Sequence, residues 1–298
     1  MSLIEIIKNN RSHLTQQSVK TYVWIIKNIG KKINIEINTP YDVYHNIDVI
    51  IDSLKLIESK KRKTLYAALL VLCDTVENRN DMIIDLLRKH MMADINEFKK
   101  TEFDQKKTQK QTDNWKDWEE ITQKYNLFSQ MVEPLFFKKE LTKKEFYNMN
   151  LYVLLSCLIL IPPLRSLNFT EFKINNVDKT KDNYMDQTKN LFVFNVYKGW
   201  NKKGVGVIPI TKKLRDIIMN WKKYNTNDYM LLDTNKNKLT QTKLNNLLNN
   251  FFDWNISTSM LRHIYLTNKF NDVNLKEIKE VANNMQHSIM QDLKYVVR

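Results

Sequence analysis

The sequence predicts a mainly α-helical protein (α+β) with a small antiparallel β-sheet in its second half. Three observations predict it. Only 4 Gly and 5 Pro occur in 298 residues, too few for the many tight turns of a sandwich or propeller. Apolar residues recur every three or four positions along most of the chain, as one face of a helix requires. Between Phe169 and Ile210 that rhythm gives way to alternation. With 43% hydrophobic and 27% charged residues, the chain has enough apolar matter for a real core, which excludes whole-chain disorder. The length suits one large domain or two ordinary ones.

The elements come in this order. Thr15 is placed to cap a helix whose Val19, Tyr22, Val23, Ile26 and Ile29 share a face, with Gly30 as the expected stop. Lys27, Lys31 and Lys32 sit near the negative end of its dipole. Helices are expected around Tyr44–Ile57, Lys63–Val76 and Asp81–Met92. The run Lys60-Lys61-Arg62-Lys63 reads equally as a phosphate-contacting face or a solvated helix end. From Asn96 to Lys124 the chain turns polar and lysine-rich, as an exposed connector does. Trp115 and Trp118, at i and i+3, are expected to dock its end onto the second domain.

The expected organisation is therefore a helical domain over 1–95, a connector over 96–124 and a second domain over 125–298. In the second, helices are expected near Glu119–Gln130 and Lys143–Ile161. Strands are expected at Phe169–Ile174, Leu191–Tyr197 and Val205–Ile210, the last two as a hairpin. Helices return at Lys212–Lys223, Gln241–Asp253, Ser257–Lys269, Leu275–Asn283 and from His287 onward.

Cys73 and Cys157 lie in apolar runs and read as buried thiols in a reducing compartment. No Cys/His spacing suggests zinc. The N-terminus lacks the build of a signal peptide, and the apolar run Leu151–Leu164 is too short to span a bilayer, so a soluble, intracellular protein with no membrane partner is expected. The balance of 47 Lys+Arg against 33 Asp+Glu leaves +14. That excess calls for an acidic partner, nucleic acid before an anionic membrane. Lys- and Asn-rich composition also mirrors an AT-rich genome, so charge alone favours DNA only modestly.

Four segments carry chemistry: Pro162-Pro163-Leu164-Arg165, Tyr197-Lys198-Gly199-Trp200-Asn201-Lys202-Lys203-Gly204, Ser259-Met260-Leu261-Arg262-His263, and Met285-Gln286-His287-Ser288 with Tyr295 beyond it. Two guanidiniums grip the non-bridging oxygens of a phosphodiester and offset charge growing in a pentacoordinate transition state. A hairpin lysine protonates a departing 5′ oxygen; Lys198, Lys202 and Lys203 are all candidates. An imidazole donates to a phosphoryl oxygen, and a phenol attacks phosphorus. No carboxylate cluster suggests a metal, so no cofactor is expected.

In this order and these contexts the segments resemble the tyrosine recombinase/integrase family, closest in flavour to the Lys/Asn-rich integrases of large DNA viruses and virophages. The resemblance implies that Arg165 and Arg262 clamp phosphate, Lys198 is the general acid, His287 a hydrogen-bond donor and Tyr295 the nucleophile. It covers Glu119 to the C-terminus. More weakly, Leu14–Tyr22 resembles the opening of the family's helical core-binding domain. It implies a 3′-phosphotyrosyl intermediate, a two-domain clamp on double-stranded DNA, and a homo-tetramer on two sites that integrates or excises a viral or mobile genome. The sequence departs from the family at Ser259, where a histidine is usual, at Asn168 in place of an acidic residue, and at Gln286 in place of glycine. A type IB topoisomerase and a catalytically silent DNA-binding relative are the competing readings.

Overall fold

A computed structural model describes residues 1–74, 79–103, 107–270 and 275–285. Contacts divide the chain into two units, Met1–Asp104 and Gln105–Arg298.

The first unit is helical: α1 (Leu3–Asn10), α2 (Gln16–Lys32), α3 (Pro40–His45), α4 (Ile47–Lys55), α5 (Ser59–Cys73) and α6 (Asp81–Phe103). Local chemistry starts the first three. Ser2 and Glu5 form a reciprocal capping box on α1. Thr15 Oγ1 accepts the Ser18 N–H at 3.2 Å to start α2. Pro40 at the head of α3 comes after Thr39, whose N–H donates to Asp42 at 2.8 Å, a sequence that satisfies otherwise orphaned donors.

Gly30 does not end α2, which continues to Lys32. Its constraint is steric: the chain folds back so that a Cβ at Gly30 would lie 2.4 Å from the Ile35 carbonyl oxygen. The expected Tyr44–Ile57 helix is two, broken at Asn46. The last helix runs past Met92 to Phe103, because no Gly or Pro interrupts it. Helix α5 lies at the centre. It buries Tyr66, Ala68, Leu69 and Leu72 against α6 and α2, with Ile7, Ile26, Ile50 and Leu54 completing the core. Burial pushes the Cys73 thiol up to about 12.

The second unit holds α7 (Gln109–Asp113), α8 (Trp118–Val132), a 3-10 turn (Glu133–Phe137), α9 (Lys143–Ile159), α10 (Ser166–Thr170), β1 (Tyr184–Asp186), β2 (Leu191–Phe194), α11 (Trp200–Lys203), β3 (Gly206–Pro209), α12 (Lys212–Lys222), α13 (Gln241–Phe252), α14 (Thr258–Lys269) and α15 (Leu275–Asn284). Trp115 and Trp118 pack against this unit's core, and the Trp118 ring meets Tyr265 edge-on at 5.1 Å.

Helix α9 buries every residue from Tyr152 to Leu158, so it is apolar all round, as a central helix must be. It lies against α8 and α12. Its buried polar groups are paired: Ser156 Oγ lies 3.0 Å from Tyr125 Oη, and Asn150 exchanges two 3.0 Å hydrogen bonds with the backbone of Leu232. Trp221 of α12 is fully buried and donates its indole N–H to Met230 O at 2.8 Å. Side-chain caps start α12, α13 and α14: Thr211, Thr240 and Ser257 accept from the N–H groups of Leu214, Lys243 and Met260.

The sheet is antiparallel in the order β1-β2-β3. Val193 stands opposite Tyr184 and Val207, and Phe192 opposite Met185 and Ile208. Phe192 and Ile208 face the core and Val207 faces outward. The expected strand Phe169–Ile174 is not one. Its first residues close α10, and only Phe172 and Lys173 make isolated bridges, to Asn183 and Tyr229. Phe169 and Phe172 are three apart, so a helical turn carries both rings onto Phe192, at 6.5 and 4.9 Å. The same residues satisfy period two and period 3.6, and packing chooses the latter. Among the described residues no helix is long and apolar enough to cross a membrane.

Candidate active site

Arg165, Lys198 and Arg262 each directly succeed a buried residue of one core. Leu164, Tyr197 and Leu261 all belong to the hydrophobic cluster of the second unit, and Arg165, Lys198 and Arg262 come next in sequence. Arg165 is half-buried and extended (φ −72°, ψ 149°) at the start of α10. Its carbonyl accepts the Asn168 N–H at 3.0 Å. Ser166 Oγ donates to Gln241 Oε1 at 2.9 Å, tying α10 to α13. Lys198 is exposed beyond β2. Arg262, in the second turn of α14, is 2% exposed between Leu261 and Ile264.

Asn183, which no sequence motif marks, joins two of these segments. Fully buried, its side chain donates to Asn168 O at 3.2 Å on the helix behind Arg165 and to Val196 O at 2.7 Å. Its Oδ1 accepts the Val196 N–H at 2.7 Å, two residues before Lys198. A lone asparagine in a polar loop gives no sequence signal; only the tertiary structure shows what it bridges. Asn195 fastens the same strand end, donating to Asp182 O at 2.7 Å. Asn168 is buried, and its own Nδ2 meets no partner among the described residues. Glu171 is bound to Lys238 at 2.5 Å.

Ser259 is exposed one turn before Arg262, and His263 is half-buried. Met285, the first residue of the fourth segment, is buried against Leu266, Phe270 and Val281, which fastens that segment's start to the helix of Arg262. His287 and Tyr295 lie outside the described residues. Among the described residues no group of three or more His, Cys, Asp and Glu is placed to hold a metal ion.

In the first unit the run Lys60–Lys63 is partly structural. Arg62 forks onto Asp94 at 2.5–3.0 Å, and Lys63 lies 3.5 Å over the Phe98 ring. A different basic face stands open: on α2, Lys20, Trp24, Lys27 and Lys31 share one exposed stripe, with Trp24 65% exposed. Lys32, by contrast, is used internally, donating to Ser53 O at 2.6 Å. The apolar periodicity of α2 reveals its buried face, and nothing in it marks the outer one.

No protein-family model and no curated protein matches the chain. Solved structures are similar over nearly the whole length, among them two recombination proteins. One is a lambda integrase fragment (75–356), a dimer bound to a COC′ core site, with TM-score 0.50 and 11% identity over 99% of this chain and 95% of that one. The other is XerA recombinase, with TM-score 0.43 and 12% identity over 99% of this chain and 91% of that one. The likeness to lambda integrase establishes the fold: the chain has a tyrosine recombinase/integrase fold, mainly helical with the small antiparallel sheet described above.

Proposed function

We propose that the chain is a site-specific DNA recombinase that cuts and rejoins DNA through a 3′-phosphotyrosyl intermediate, serving integration or excision of a viral or mobile genome. The observation that carries this reading is the mounting of Arg165, Lys198 and Arg262 on one core within this fold. Arg165 and Arg262 hold the non-bridging oxygens and offset the extra charge of the pentacoordinate phosphorus. The Tyr295 hydroxyl gives up its proton to solvent and its oxygen attacks phosphorus as the bond to the 5′ oxygen breaks. Lys198 gives that oxygen its proton, leaving a 5′-hydroxyl, and His287 donates to a phosphoryl oxygen. The ester keeps the bond energy, so a 5′-hydroxyl from another strand reverses the step without ATP. Four protomers on two duplexes would complete an exchange.

Ser259, in the place of the usual histidine and exposed one turn from Arg262, favours a second reading: a DNA-binding relative that does not cut. Covalent trapping separates the two. The protein, without metal or ATP, is mixed with fragments of its source genome and stopped with SDS; linked DNA is sequenced and the linked residue found by mass spectrometry. Tyr295 joined to a 3′ phosphate at one recurrent site is the expected result. Adducts scattered over many sequences point to topoisomerase-like relaxation. Salt-sensitive binding with no adduct points to the silent relative.

The open face of α2 adds a quantitative expectation for the first unit. Lys20, Lys27 and Lys31 make no side-chain ion pair or hydrogen bond with the described residues, so each is free to meet a phosphate. Replacing all three with Ala is expected to flatten the slope of log affinity against log salt by about 0.9 for each phosphate that is no longer neutralised. Fluorescence anisotropy across a salt series measures it. An unchanged slope would remove α2 from the DNA interface.

A further inference from the structure

We propose that the tip between β2 and β3 is a base-stacking element, in which Trp200 stacks on an unpaired nucleobase of DNA beside the phosphate served by Lys198. The inference rests on the recombinase reading for its ligand, and on the geometry of the tip for its site.

Of the tryptophans in the second unit, Trp115, Trp118, Trp221 and Trp254 all pack into or against the core. Trp200 does not: it is 52% exposed, and Val205 and Val207 beside it are exposed as well. Uncovered indole is costly, and the tip is built to hold it out. Gly199 (φ +100°) and Gly204 (φ +71°) turn the chain sharply at either end of α11. A Cβ at either glycine would touch nothing within 4 Å, so the backbone angle and not lack of space requires glycine.

The turn is closed from within. The Trp200 N–H donates to Tyr197 O at 3.2 Å, the Gly204 N–H to Trp200 O at 2.8 Å, and Tyr197 Oη to Gly204 O at 3.0 Å. Burial raises the Tyr197 phenol above its ordinary range, which keeps it a proton donor. The tip is thus a formed loop and not a slack one.

Its surroundings select the occupant. Lys198 and Lys203, both exposed, lie on either side of Trp200 in the same tip, which suits a polyanion carrying flat rings better than an apolar protein groove. In intact duplex the bases already stack on one another. An unpaired base offers a free face, and strand exchange requires bases to leave one partner before they join the next. Trp200 therefore favours the opened strand next to the cut.

The test uses the full-length protein, a short duplex, and the same duplex with a few unpaired bases, one of them 2-aminopurine. The wild type is expected to prefer the opened DNA and to quench the probe. Trp200→Ala is expected to lose about 10-fold in affinity for the opened DNA, to leave duplex affinity unchanged and to abolish the quenching. Trp200→Phe, which keeps an aromatic face, is expected to retain most of the preference. Thermal melts of the variants show that they fold. An opened-to-duplex ratio and quenching unaltered in Trp200→Ala, with DNA binding intact, would overturn the stacking role alone. Failure of the wild type to bind either DNA would overturn that role and the recombinase reading together.

Discussion

Arg262→Ala is expected to slow formation of the covalent DNA adduct by about 10²–10³-fold, the usual cost of removing one preorganised charge donor from a transition state. Burial is the reason. A guanidinium that is 2% exposed between Leu261 and Ile264 is already withdrawn from water before DNA arrives. Its attraction for a phosphoryl oxygen is then little screened, and little solvent has to reorganise as charge builds. Ser257 caps α14 and Trp118 packs on Tyr265 one turn further along, so the helix itself is held. Arg262→Lys keeps the charge but loses the planar fork and should fall between wild type and Ala. Tyr295→Phe should abolish the adduct while leaving binding intact. Single-turnover adduct formation measures all three, with melts to show that the variants fold. A rate for Arg262→Ala close to wild type would remove this residue from the clamp.

Much of the fold was legible because it is written locally. A helix cap and an apolar stripe lie within a few residues of one another, so Thr15 and the stripe of α2 announce themselves, and α9 shows as a continuous apolar run. The hairpin of β2 and β3 was legible for the same reason. The illegible parts depend on distant partners. Tyr184–Asp186 becomes a strand because β2 lies beside it, and its own three residues carry no alternation to read. Phe169–Ile174 read as a strand because its spacing fits both periods, and the position of Phe192 decided between them.

The site divides in the same way. Arg165, Lys198 and Arg262 stood out through short motifs, and the structure adds why each is preceded by an apolar residue: Leu164, Tyr197 and Leu261 are the anchors. Asn183 and the outer face of α2 were missed. One acts across the fold, and the other is defined by what does not cover it. Arg62 was misread in part, since nothing within Lys60–Lys63 reveals a carboxylate 32 positions away.

That carboxylate yields the largest expected stability effect. Asp94→Ala should destabilise the first unit by about 2 kcal/mol, the cost of taking a charged hydrogen-bond partner from a part-buried guanidinium. Asp94 is 2% exposed on α6. It takes both Nε and Nη2 of Arg62 on α5, while Nη1 of the same guanidinium donates at 3.2 Å to the carbonyls of Lys55 and Ile57 at the end of α4. Asp94 raises the Arg62 pKa above its ordinary value, so the cation is secured. One side chain thus joins three helices, and Asp94 orients it. Without the carboxylate the guanidinium keeps its two carbonyls and the more distant Glu97 at 4.0 Å, but loses the partner that orients it. Removing both partners tests this account: Arg62→Leu combined with Asp94→Ala should recover part of the loss, because no part-buried charge is then stranded. Urea denaturation of the full-length protein, with hydrogen exchange read on α5 and α6, measures the effect. A double variant less stable than Asp94→Ala alone would show that Arg62 stabilises the unit through the α4 carbonyls and not through the pair.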